Sequence, residues 1–240
     1  MKRIFAIAAL ALATTSPAFS QAVDKKPEPL GQADTTKRLP TGWYKAGSKP
    51  QNYDMGADAT MHHGGKQGAY VKSIASADAE GFGTLMQTIK ADDYRGKRIR
   101  LSGYAKTNNV EGSGQMWIRI DGEEGALLGF DNMDNRKIVG TTDWKKYELV
   151  LDVPENSVAI AFGFFVHGKG EMFADDLRLE VVEKDVATTN MEEEVKRAPK
   201  ELEEHKRTHK EEFERRMEGM KKRLVSQPTQ PVNLDFEMIR

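Results

Sequence analysis

The stretch Gly140–Val182 reads GTTDWKKYELVLDVPENSVAIAFGFFVHGKGEMFADDLRLEVV. Apolar and polar residues alternate in three segments of it. Tyr147, Leu149, Leu151 and Val153 share one face of the first segment. Val158, Ile160, Phe162 and Phe164 share one face of the second, and Phe173, Leu177, Leu179 and Val181 one face of the third. A period of two belongs to a strand with one buried face, not to a helix. Turn residues, among them Gly168-Lys169-Gly170, separate the segments.

Working outward, strands are expected at Gly68–Ala75, Gly83–Lys90, Lys97–Thr107, Gln115–Asp121, Ala126–Asp131, Trp144–Val153, Ser157–His167 and Glu171–Val182. Short strands at this spacing predict an all-β, antiparallel β-sandwich of the jelly-roll kind over residues 39–183. A scaffold of this class usually serves binding.

The N-terminal residues follow another logic. Lys2 and Arg3 precede an apolar run from Ile4 to Ala13, and small residues follow at Ala18, Ser20 and Ala22. This order is that of a signal peptide over residues 1–22, so export to the periplasm or beyond is expected. The run is too short to span a bilayer of about 30 Å, so no membrane span is expected. Residues 23–38, proline-rich and charged, read as a disordered leader. The chain has no cysteine, which excludes disulfides and thiolate chemistry. Its net charge of −1 carries no nucleic-acid signature.

Composition changes after Glu183. Met191–Leu224 holds eleven Lys/Arg and ten Glu, which puts a charged helical segment at 189–225. Glu192–Lys196, Glu193–Arg197, Glu203–Arg207, Glu211–Arg215, Glu212–Arg216 and Glu218–Lys222 are Glu-first i,i+4 pairs, each supporting a helix. Thr189 or Asn190 is placed to cap it, and Pro199 is expected to kink it or to begin a second helix. Val232, Leu234 and Phe236 alternate, as in one more strand over 232–237.

The segments GWYKAGS (Gly42–Ser48), HGGKQGAYVKS (His63–Ser73) and YRGKRIRLSGYAKT (Tyr94–Thr107), with DWKKYELVLDVPENSVAIAFGF and GEMFADDLRLEVV, resemble carbohydrate-binding modules of families 4 and 9. The resemblance covers about Leu39–Val182. It implies a galactose-binding-like jelly roll, a carbohydrate or polyol ligand and no catalysis. In that family an N-x-x-F-E strand precedes the G-W segment. Here the motif stands at the far end, as Asn233-Leu234-Asp235-Phe236-Glu237. The segment either returns to its own sheet in a permuted chain, completes a neighbour's sheet in a swapped dimer, or begins a truncated second module.

Strand phase nominates a ligand face. Met116, Ile118 and Ile120 point inward, so Gln115, Trp117 and Arg119 point out. Ile99, Leu101, Gly103 and Ala105 point inward, so Arg100, Ser102, Tyr104 and Lys106 point out. Phe165 and His167 face out beside Ala159, Ala161 and Gly163. If these strands share a sheet, Tyr104, Trp117, Phe165, Arg100, Arg119 and His167 line one trough. Aromatic rings suit the C–H faces of sugars, and Arg or His suits their hydroxyl rims. The competing arrangement has the tail helices covering this face.

Asp175 falls in phase with Phe173 and Leu177, and a buried carboxylate needs a partner. The resemblance implies a structural calcium held by Asp175 and Glu237, with backbone oxygens of Gly64–Lys66. Hydrogen bonds from loop N–H groups to Asp175 are the alternative. His205 and His209 have the i,i+4 spacing of a metal pair, without an evident third ligand beyond Glu201. No G-x-S-x-G, H-E-x-x-H or phosphate-loop motif is present, so no enzyme is expected. Two readings emerge. One is an exported, non-catalytic carbohydrate-binding module. The other is a structural or interaction protein whose C-terminal helix or strand mediates homodimerisation or docks a partner.

Overall fold

The computed structural model describes residues 39–74 and 80–239. The expected signal peptide and leader lie outside the described residues. Nine strands and two helices follow in order: β1 Tyr44–Gly47, β2 Tyr53–Asp58, β3 Gly68–Ser73, β4 Phe82–Lys90, β5 Arg98–Gly122, β6 Leu127–Asp131, β7 Ile138–Asp152, β8 Ser157–His167, β9 Glu171–Val182, α1 Glu192–Thr208 and α2 Lys210–Val225.

All strand pairings are antiparallel. The architecture is a jelly-roll-like β-sandwich whose two layers share β5. Residues 113–122 of β5 sit between β8 and β6, giving a front layer ordered β1-β4-β8-β5-β6. Residues 98–108 sit between β7 and β9, giving a back layer ordered β7-β5-β9-β3-β2. The sequence pattern suggests two strands here, Lys97–Thr107 and Gln115–Asp121. The structure joins them into one element of 25 residues. Register with β7 shifts three times between Ala105 and Gly114, and Asn109 takes a φ of 49°, so the strand turns through bulges instead of ending. Gly112 lies at this corner, where a Cβ would come 2.2 Å from the carbonyl oxygen of His167.

The inward faces meet in one core that includes Trp43, Leu85, Leu101, Met116, Ile118, Phe162 and Phe164, all fully buried. The alternation in β7 and β8 is realised as expected. In β9 it is not. Register skips where Ser102 and Tyr104 face Arg178 and Asp175, and Asp176 has a φ of 50°. This bulge flips the phase. Met172 and Ala174 enter the core, while Phe173 joins the outer face. β1 and β2 escape the pattern because they are short.

The C-terminal segment comes back to its own domain. Phe236 is fully buried in the core, its ring 4.9 Å from that of Trp43. Trp43 Nε1 donates to the carbonyl of Asn233 at 3.0 Å, and the Leu177 N–H donates to Leu234 O at 3.1 Å. It is not the regular strand expected over 232–237. Asn233 and Phe236 have φ values of 55° and 59°, so the segment is a turn that inserts one ring. It ends in a bridge between Pro40 and Ile239.

The tail breaks at His209 (φ −133°), not at Pro199, which sits inside α1. Bonds from His209 N to His205 O and from Phe213 N to His209 O continue the i→i−4 ladder, so the break is a kink. Thr189 and Asn190 do not cap α1. Thr189 exchanges bonds with Val150, and the Asn190 side chain accepts from Phe130 N, which docks the helix to the sheets instead. Two of the six expected ion pairs form, Glu192–Lys196 and Glu218–Lys222. Others are exchanged for neighbours such as Glu201–Arg197. No helix among the described residues is long and apolar enough to cross a membrane.

Candidate functional site

The outer face of the front layer is organised in rows. Tyr44, Met86, Gly163 and Trp117 are cross-strand neighbours. One row up lie Ala46, Thr84, Phe165 and Gln115, and one row down lie Thr88, Ala161, Arg119 and Phe130. The outer face of an antiparallel sheet is ordinarily polar. Here Ala46, Met86, Trp117 and Ala161 form an apolar cluster separate from the core, with Tyr44 and Phe165 packed against it.

The reason is local. Gly163 has no side chain, so the Trp117 indole reaches over β8 and donates Nε1–H to Thr84 Oγ1 at 2.9 Å. The ring is therefore fixed, and it is 8 % exposed. Tyr44 is held by a 2.6 Å bond to Thr88 Oγ1, and burial raises its hydroxyl above the ordinary pKa. Gln115 donates to the carbonyl of Asn132 at 2.5 Å and so ties the β6–β7 loop to the edge of the face. That loop is braced by Asp131, whose buried carboxylate takes both terminal nitrogens of Arg136 at 3.0 and 2.6 Å. Arg119 is ion-paired with Asp121: its Nη2 donates to Oδ2 at 2.9 Å, and its Nε lies 2.8 Å from Oδ1.

The six residues nominated from strand phase do not form one trough. Trp117, Arg119, Phe165 and His167 share the front face, as their phase indicates. Tyr104 and Arg100 point outward too, but from the back layer, because β5 changes layers between them and Trp117. Arg100 is engaged with Glu180 at 3.2 Å, within a ladder of surface ion pairs that includes Arg98–Asp152 and Lys146–Glu148. Tyr104 stacks on His63, ring centroids 3.6 Å apart. Tyr44, Thr84 and Met86 escaped the sequence reading. The phase of β4 shows Thr84 and Met86 facing out, but β1 and the layer order were needed to bring them beside Trp117.

Asp175 lies on the outer side of the back layer opposite Tyr104, beneath the His63–Gln67 loop, not in the core. Its carboxylate accepts from the N–H groups of His63, Gly64 and Asp176 at 2.7, 2.9 and 2.7 Å. Burial raises its pKa, against the pull of these donors. Glu237 reaches the same loop and accepts from Lys66 and Gln67 N–H at 2.5 and 3.2 Å. Asp175, Asp176, Asp235 and Glu237 thus line one concavity of about 340 Å³ with Gly64–Lys66. The loop presents N–H donors to both carboxylates. Calcium needs six to eight oxygens, and here oxygens of Asp175 and Glu237 accept from loop N–H groups. The residues as arranged form a carboxylate-pinned loop. Among the described residues no three His, Asp or Glu side chains converge as a metal would require. His205 and His209 stack on each other at 4.8 Å across the kink.

No family model matches the chain. A curated relative, the uncharacterized HTH-type transcriptional regulator YbfP of Bacillus subtilis, is 45% identical over 151 residues, 63% of this chain and 51% of the relative. The chain therefore spans about half the length of that relative. Similar solved structures include the CBM22-1 xylan-binding domain of Paenibacillus barcinonensis Xyn10C, at 15% identity and a TM-score of 0.46, over 62% of this chain and 91% of that one. The C-terminal family 22 module of Clostridium thermocellum Xyn10B gives 14% and 0.44, over 61% and 89%. The enzymatically active domain of bacteriophage CBA120 tailspike protein 4 gives 14% and 0.47, over 64% and 21%.

Proposed function

We propose that this protein is a non-catalytic module that binds a carbohydrate or polyol on the outer face of its front layer. The observation that carries this reading is the Tyr44–Met86–Trp117–Phe165 cluster, an apolar and aromatic platform on the side of the sheet facing away from the core. The half-buried rings of Tyr44 and Phe165, with His167 on the same face, suit a ligand with C–H faces and hydroxyl rims. Trp117 is preset by its bond to Thr84, so binding requires little ordering. The sequence resemblance to modules of families 4 and 9 points the same way. The reading includes export, from the charge order of residues 1–22.

The experiment is titration of the mature protein with neutral xylo-, cello- and galacto-oligosaccharides, read by calorimetry and tryptophan fluorescence. At least one series should bind, and Trp117→Ala or Phe165→Ala should weaken it about tenfold or more, the size of one lost aromatic contact. Absence of binding across the panel, with a mass that rises with concentration, would favour the interaction-protein reading. That second reading has less support. Ala198 and Met217 are buried in the protein's own fold, and the remaining helix surface is laced with ion pairs.

A further inference from the structure

The chain has three tryptophans and six tyrosines, and they differ in what their polar ends touch. Trp43 Nε1 donates to Asn233 O and Trp117 Nε1 to Thr84 Oγ1. The hydroxyls of Tyr44, Tyr53, Tyr70 and Tyr94 bond to Thr88, Gly81, Asp54 and Gln230. Among the described residues, nothing bonds to the indole N–H of Trp144 or to the hydroxyls of Tyr104 and Tyr147. Buried phenols and indoles ordinarily find a partner for that end. Tyr147 packs against the core from the inner side of β7. Tyr104 and Trp144 are half-buried on the outer face of the back layer, where Lys146 is the cross-strand partner of Tyr104.

These two residues meet through His63. Its ring stacks on Tyr104, centroids 3.6 Å apart and planes 12° from parallel. The Trp144 ring lies 5.9 Å from the imidazole at 66°, edge-on. Strand and loop both fix this corner. Thr107 and Thr142 join their hydroxyls at 2.9 Å, and Trp144 N–H donates to Asp143 Oδ1 at 2.9 Å. The His63 backbone N–H is held by Asp175, and its Nδ1 lies 2.7 Å from Asp176 Oδ2. With Nδ1–H given to that carboxylate, Nε2 of the neutral ring is an acceptor. The corner therefore offers an indole donor, an imidazole acceptor and a hydroxyl that does both, beside aromatic surface. The nearest cation has its own partner, Lys106 with Asp143 at 2.9 Å.

We propose that the Tyr104–His63–Trp144 corner is a second binding site, which takes one residue of a neutral, hydroxyl-rich sugar on the back layer. Sugar hydroxyls give and accept alike, and surroundings whose charges are matched call for no charge on the ligand. This inference rests on the sugar-binding reading and adds to it. The two sites differ in kind. On the front face the polar ends of Tyr44 and Trp117 are engaged by Thr88 and Thr84, so contact there is made by the rings. In the corner those ends are free, so the arrangement of the hydroxyls is read directly. The outer faces of a sandwich point away from each other, and one protein would join two glycan chains.

The test is calorimetric titration of the mature protein with the neutral xylo-, cello- and galacto-oligosaccharides. With at least one series, Trp144→Ala should remove a binding event or weaken it about tenfold or more, the size of one lost aromatic contact. Tyr104→Phe removes a single oxygen that touches no protein group. It should leave the melting temperature unchanged and weaken the same event about threefold or more, the size of one hydrogen bond. Two events per chain, one of them lost in Trp144→Ala, are the expected result. A single event lost in Trp144→Ala upholds the corner and overturns the front-face site. Events that all keep wild-type affinity in Trp144→Ala, or in Tyr104→Phe where the alanine variant does not fold, overturn this inference and leave the sugar reading intact. No event with any series overturns both.

Discussion

The indole N–H of Trp43 donates to the backbone carbonyl of Asn233 at 3.0 Å, although 190 positions separate them. Phe236, three residues on, packs tilted against the same indole at 4.9 Å and edge-on to Phe164 at 6.3 Å. The last residues thus fill the core beside the first strand. Phe236→Ala should destabilise the domain by about 3–5 kcal/mol, the cost of emptying a buried aromatic site. Removing everything after Gln227 should lower the melting temperature further, because it also strands the Trp43 N–H. Urea unfolding of the two variants checks this. A tail whose loss leaves the midpoint unchanged would refute it.

The Gly64–Gln67 loop is pinned by carboxylates. Asp175→Ala strands three N–H donors beneath the loop, and about 3 kcal/mol should be lost at the usual cost of unmet buried donors. Gly65→Ala should also destabilise. Gly65 has a φ of 56°, and a Cβ there would meet Glu237 Oε1 at 2.0 Å. Adding calcium or a chelator should leave the wild-type melting temperature where it is. A clear rise with calcium would show that the concavity of Asp175, Asp176, Asp235 and Glu237 holds the ion.

Asp152 supplies a pH dependence. A fork from Arg98, helped by Lys184, lowers its carboxyl from 3.8 to about 2. A depressed folded pKa favours the native state above the unfolded value and loses that advantage as pH falls through the folded one. The contribution should be intact above about pH 4 and fade toward pH 2. Asp152 is 45% exposed, so screening reduces the contribution to about 1 kcal/mol. Asp152→Asn should cost that much at neutral pH, and the difference from wild type should close at the acid end of a stability titration.

Pro199 stands inside α1 without an N–H for the ladder. Pro199→Ala should stabilise the tail, by up to about 3 kcal/mol on the intrinsic scale, and deepen the helical circular dichroism signal. No gain would mean that the proline is matched to a bend the sheet requires.

Much of the sandwich was legible because burial on one face writes a period of two into the chain. Leu149, Leu151, Ile160 and Phe162 needed nothing more. The pattern failed where geometry departs from the pleat. The bulge at Asp176 reversed the faces of Phe173 and Ala174, and alternation carries no signal for an extra residue. The candidate face was half legible for a related reason. Trp117 and Arg119 were placed correctly by phase. Whether Tyr104 accompanied them depended on which layer Arg98–Asn108 joins, and side-chain alternation is identical in either layer. Phe236 was recognisable as belonging somewhere. Its entry through two left-handed residues was not, because Asn233 tolerates that conformation quietly and Phe236 takes it only under the pull of the core.

The bridge between Pro40 and Ile239 makes the domain's way in and way out immediate neighbours. A chain that enters and leaves at one point hangs as a pendant and does not lie in series. Tension drawn across it would open the bridge and the adjoining Thr41–Met238 bond one after the other, like a zip, before reaching the sheets. Anything joined at both ends would be held side by side.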